Sequence, residues 1–100
     1  MPRYENEASR LRQLASASDV RIRFTKHAKE EAAKDGIPEI DVLNMLTRCR
    51  VTLVEISGAD DTWRAEGTDS NGRRITAVVV AFEVLRLIRV ITCWAKGSRR

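Results

Sequence analysis

Histidine and cysteine are scarce. The chain has one histidine, His27, and two cysteines, Cys49 and Cys93. Two cysteines are too few for a disulfide scaffold, and their spacing matches no zinc pattern, so two buried free thiols are expected and no metal or cofactor is implied. Long apolar runs are absent as well. The longest, AVVVAF at 77–82, is far too short to span a bilayer. The first residues, MPRYENEASRLRQL, are polar and lack the apolar core of a secretory signal. These absences lead to an expectation of a cytoplasmic protein without membrane partners. The sequence also contains no Gly-rich phosphate loop and no GxSxG motif.

What is present is one domain's worth of chain. A length of 100 residues and 43% apolar content suit a single globular unit with one modest core. The net charge of +4 hides an asymmetry. Residues 49–72 carry two basic and five acidic side chains, whereas residues 73–100 carry seven basic and one acidic. A basic C-terminal quarter suits a polyanion or an acidic protein partner.

Periodicity divides the chain in two. Residues 7–17 (EASRLRQLASA) read as a helix with a narrow apolar stripe, expected to be peripheral within residues 1–18. VRIRF at 20–24 alternates apolar and basic residues, as a short half-buried strand does. Thr25 can cap a helix over 26–35, and Gly36 stops it. Pro38 opens a third helix over 38–48 whose acidic residues Glu39 and Asp41 suit its positive end. From Arg50 onward the pattern is extended, with strands expected at 50–56, 62–68, 75–82 and 84–94 and a basic tail at 96–100. Helices first and strands afterwards predict an α+β fold, two or three helices against one face of a four- to five-stranded, mainly antiparallel sheet.

The Asn71-Gly72 pair is a strong hairpin signal. A two-residue loop there would set Thr68 opposite Ile75, Glu66 opposite Ala77 and Arg64 opposite Val79. Trp63, Ala65 and Gly67 would share the core face with Val78 and Val80, leaving Arg64 and Glu66 on the other. In the last strand, strict alternation puts Arg86 with Ile88, Val90, Thr92 and Trp94, and Arg89 with Leu87, Ile91 and Cys93. Arginines in such a strand either snorkel to water or serve as phosphate clamps, since the guanidinium fork matches phosphate oxygens. Metal-free RNA cleavage needs a base, an acid, cations and a surface for the flanking base. Glu66 or His27 can move protons. Arg64, Arg74, Arg86, Arg89 and Lys96 can supply charge, and Trp94 can stack.

The order of several segments resembles a known group. SRLRQL followed by DVRIRFT, then FTKHAKEEAAKDGIPEIDVLNML, WRAEG, NGRRITAVVV and VITCWAK are similar to the MqsR-like branch of the RelE/ParE-type toxins. They are similar as well to a related toxin-like domain family that includes relatives of BrnT. His27, Gly36, Ile37, Ile91 and Thr92 match positions of that pattern, and the resemblance covers nearly the whole chain. It implies a RelE-like fold and a metal-independent mRNA interferase, working on or off the ribosome, that is neutralised by a cognate antitoxin. It also implies a basic catalytic residue near the chain end, where Lys96 stands, and a polar one after the strand tryptophan, where Arg64 stands. The family's tyrosine early in the next strand is replaced by Arg74 or Ile75. Its lysine on the first long strand is missing, with Thr52 and Glu55 nearest. RelE-like folds host nucleases and gyrase poisons alike. A toxin acting on a protein target, and a non-catalytic module that binds an acidic protein or nucleic acid, are the alternatives.

Overall fold

Two periodicities, 3.6 over the first half and 2 over the second, become three helices and one sheet in the computed structural model, which describes residues 3–96. The elements are α1 (Glu5–Ala15), β1 (Arg21–Phe24), α2 (Lys26–Lys34), α3 (Glu39–Leu46), β2 (Arg50–Ser57), β3 (Asp60–Thr68), β4 (Arg74–Phe82) and β5 (Leu87–Lys96). The sheet order is β1-β5-β4-β3-β2. The pairs among β2, β3, β4 and β5 are antiparallel, and β1 adds to β5 in parallel. The expected α+β architecture is therefore present. Residues 97–100 of the basic tail lie outside the described residues. No described helix is long and apolar enough to cross a membrane.

All three helices pack on one face. That face presents Trp63, Ala65, Ile75, Ala77, Val79, Ile88, Val90 and Cys93 to Leu11, Ala28, Ala32, Val42, Met45 and Leu46. The first helix is not peripheral. Leu11 is fully buried, and Ala8, Leu14 and Ala15 are buried beside it. Small alanines widen the narrow leucine stripe by letting the helix come close, so truncating Leu11 would cost about 2–5 kcal/mol. Both cysteines are buried free thiols, as expected.

Local chemistry explains the joints. The Thr25 hydroxyl accepts a hydrogen bond from the Ala28 amide and so caps α2. Gly36 takes a φ of 63°, which a glycine adopts without strain, and turns the chain into α3. Gly67 serves a different purpose. A Cβ there would lie 2.7 Å from Met45 Cγ, so the missing side chain lets α3 settle onto β3.

The hairpin register differs from the expected one by one residue. Thr68 pairs with Arg74, Glu66 with Thr76, Ala65 with Ala77, Arg64 with Val78 and Trp63 with Val79. The loop is longer than two residues because Asp69 organises it. Its Oδ1 accepts from the Asn71 and Arg73 amides, both at 2.9 Å, and its Oδ2 accepts from Arg73 Nε at 3.0 Å. Trp63 still faces the core, but its strand-mates there are Val79, Ala77 and Ile75.

The last strand departs from strict alternation too. Val79 pairs with Val90 and Val78 with Thr92, so Ile91 is the extra residue of a β-bulge. Ile88, Val90 and Cys93 consequently all face the helices, while Arg89, Thr92, Trp94 and Lys96 face away. Arg86 is not in the strand. It sits in the preceding turn with a φ of 53°, reaching Asp19 Oδ1 at 3.4 Å.

Candidate functional site

The face of the sheet turned away from the helices carries most of the charged strand residues. Cross-strand register assembles them in rows. Arg50, Glu66, Thr76 and Trp94 form one row across four strands, and Thr68, Arg74 and Lys96 form the next. Where these rows end, a cleft of about 530 Å³ opens. Among the described residues Arg48, Arg50, Arg74 and Lys96 supply its positive charge, Glu66 its one carboxylate, and Gly67, Thr68 and Thr76 its remaining walls.

Glu66 is held in place by its neighbours. Thr52 Oγ1 donates to Glu66 Oε2 at 3.1 Å, and Arg64 Nε donates to the same hydroxyl at 3.3 Å. Thr52 reaches this face because β2 bulges between Val51 and Leu53. Arg64 Nε and Arg50 NH2 each stand 3.8 Å from a Glu66 oxygen, too far for a good hydrogen bond but close enough for Coulomb attraction. These groups are partly exposed, which keeps the carboxylate and the cations open to a ligand. Arg48 is steadied at the rim by donating from NH2 to the Thr68 carbonyl at 3.1 Å.

The cleft rests on a rigid base. Arg73, next to Arg74, donates from NH1 to the Asp35 carbonyl at 2.7 Å and from NH2 to the Gly36 carbonyl at 3.1 Å, tying the hairpin to the corner between α2 and α3. The Asp35 carboxylate accepts from the Ala95 amide at 2.9 Å, which pins β5 beside Lys96. Burial alone would raise the Asp69 carboxyl, but hydrogen bonds from the Arg73 guanidinium and from the Arg73 and Asn71 amides outweigh it and hold the group below its ordinary value.

Glu66, Arg74 and Lys96 thus meet in one cleft, with Arg64 beside it and Trp94 on the same face opposite Thr76. Arg89 shares the face but stands further along β5, opposite Val80 and beside Arg23. Arg86 does not join them, because its turn lies at the opposite end of β5 from Lys96. His27 is exposed in the first turn of α2 and does not line the cleft. Sequence reasoning missed Arg48, Arg50 and the role of Thr52. A signal existed for Arg50, which stands between the buried Cys49 and Val51 and so points out. Among the described residues no group of three or more His, Cys, Asp or Glu side chains could hold a metal ion. No family model, no curated protein and no solved structure matches this chain, so a functional reading rests on the cleft and the open face themselves.

Proposed function

We propose that this protein is a metal-independent endoribonuclease of the RelE type, a toxin that cleaves mRNA and is restrained by a partner antitoxin. The observation that carries the reading is the cleft in which Arg48, Arg50, Arg74 and Lys96 surround the carboxylate of Glu66. A phosphodiester seated there would bring its charge to the guanidinium forks, which suit phosphate oxygens. Glu66 takes the proton of the 2′-hydroxyl as the 2′-oxygen bonds to phosphorus. The ammonium of Lys96 protonates the leaving 5′-oxygen as the P–O5′ bond breaks, which yields a 2′,3′-cyclic phosphate and a free 5′-hydroxyl. The arginines stabilise the charge that grows on the phosphorane. Trp94 offers a flanking base a stacking surface worth about 1–3 kcal/mol. Arg64 acts through Thr52 and through its charge to orient Glu66. His27 and Arg86 have no part in this scheme.

The test is controlled expression in a bacterial host followed by primer extension on cellular mRNA. Growth arrest with new, position-specific 5′ ends is expected. Glu66→Gln and Lys96→Gln should each lower cleavage by about 10²-fold or more while the protein stays folded, the usual size of a general acid–base contribution. Arrest with intact mRNA would refute the reading in favour of a protein target such as gyrase. No arrest by soluble, folded protein would refute it in favour of a binding module.

A further inference from the structure

A second cationic site lies on the same open face, at the β1 edge of the sheet. Arg21 and Arg23 of β1 and Arg89 of β5 line a shallow cleft of about 470 Å³ with Lys26 at its end and Leu87 in its floor. No carboxylate lines it among the described residues, and no ion pair engages any of its four cations there. The three arginines are exposed. Arg23 and Arg89 are direct cross-strand partners. Neighbouring strands lie about 4.8 Å apart, so two like charges on one face repel each other and weaken the pair. Arg10 and Arg73, by contrast, are each matched to a carboxylate, Glu83 and Asp69. An unmatched pair set side by side is relieved when an anion bridges it.

The geometry points to an accessory phosphate-binding site for the continuing strand of a single-stranded RNA whose scissile phosphate occupies the first cleft. This inference rests on the reading that the open face binds RNA. Both sites share β5, with Arg89 near one end and Lys96 at the other, and Thr92 and Trp94 on the same face between them. Seven residues of strand separate them by about 23 Å, a span that a few extended nucleotides cover. Arg21 and Arg23, two residues apart, present their charges about 6.6 Å from each other along the strand, so a backbone running over them meets cations in succession. The helices pack against the other face of the sheet, and an uncovered track suits an extended strand with splayed bases.

The experiment measures binding of a labelled, cleavage-resistant 2′-O-methyl RNA of about twelve nucleotides across a salt series. The double variant Arg21→Gln/Arg23→Gln is compared with the wild type and with Lys29→Gln, an exposed change on α2. Each phosphate contact contributes about 0.7 to the slope of log K against log salt for a single strand, so the double variant should flatten the slope by about 1.4 and bind more weakly. Lys29→Gln should leave the slope as it is. Arg23→Gln should also unfold at a temperature no lower than the wild type, because it removes a repulsion, and weaker binding with undiminished stability separates a ligand site from a structural one. An unchanged slope in the double variant would overturn the proposal. So would failure of the wild type to bind RNA, or binding of a polyglutamate peptide that RNA cannot displace, which would assign the site to an acidic protein segment. A flattened slope in the double variant, with unmodified RNA left intact by the wild type, would keep the accessory site and reject the nuclease.

Discussion

Replacing Asp69 with alanine should destabilise the protein far more than a loop substitution normally does. The carboxylate is buried, with 1% of its side chain exposed, and its partner Arg73 is only 17% exposed. Three hydrogen bonds end on it. The charge-assisted bond to Arg73 Nε contributes about 1.5–3 kcal/mol, and the two amide bonds, which water can partly replace, about 0.5–1 kcal/mol each. A loss of about 3 kcal/mol follows, or a fall in Tm of roughly 12–24 °C for a domain of this size. Urea and thermal unfolding followed by circular dichroism would read it. The pH dependence gives a second, independent check. The carboxyl titrates below its ordinary value of 3.8 in the folded protein. Its contribution is therefore fully present above about pH 4 and is lost as the pH falls through the lower folded value. Glu83, also held down by its hydrogen bond to Arg10, remains in both proteins and cancels in the comparison. The gap between wild type and Asp69→Ala should narrow on acidification below pH ~4. A loss under about 1 kcal/mol at neutral pH, or a gap that widens in acid, would refute the claim that Asp69 organises the hairpin.

Gly67→Ala should cost about 1–3 kcal/mol in urea unfolding, because the added methyl would press on the fully buried Met45. Combined with Met45→Ala, its cost should shrink, a non-additivity that a double-mutant cycle detects. Burial pushes the thiols of Cys49 and Cys93 from 9.0 to about 11. Alkylation at pH 8 should therefore be about 100-fold slower in the folded protein than in urea, and fast labelling of the native state would contradict their burial. Thr25→Val should cost about 1–2 kcal/mol, since one hydroxyl both caps α2 and donates to the Ile91 carbonyl at 2.9 Å. Amide hydrogen exchange should report the loss in α2 and at the bulge together.

Much of the fold was legible because its signals are local. Thr25, Gly36 and Pro38 punctuate the helices by their own backbone preferences, and the alternation in VRIRF separates Val20, Ile22 and Phe24 from Arg21 and Arg23 without help from the rest of the chain. What escaped depends on tertiary partners. The depth of α1 is set by Ala8 and Ala15, whose small side chains matter only once β2 and α3 approach. The hairpin register turns on the Asp69 carboxylate, since Asn71-Gly72 by itself suits a tighter loop. Of the site, Glu66 was visible as a charged residue on a strand with a core-facing side, Arg74 as a cation beside the hairpin, and Lys96 through the family resemblance, in what read as a tail rather than as the end of β5. Arg48 was hidden because it stands at the change from helix to strand, where neither period applies, and Arg50 because it opens β2 and joins the site only through its pairing with Glu66.

Two bulges decide which residues share the open face. Had β5 alternated strictly from Arg89, Ile91, Cys93 and Ala95 would have followed it outward, and Trp94 and Lys96 would have turned with Ile88 and Val90 into the helices. An ammonium at that depth would need a partner or would lose its charge. The extra residue, Ile91, reverses the alternation, and the hydroxyl of Thr25 takes up the carbonyl that the bulge leaves turned toward α2. The bulge in β2 brings Thr52 onto the same face as Arg64 and Glu66, where its hydroxyl bridges them. Each irregularity interrupts a ladder that would be more regular without it. In return, one keeps Lys96 in the cleft and the other orients the carboxylate beside it. Bulges recur next to functional sites because they re-aim side chains in this way, and here both converge on the cleft in which Arg48, Arg50, Arg74 and Lys96 gather around Glu66.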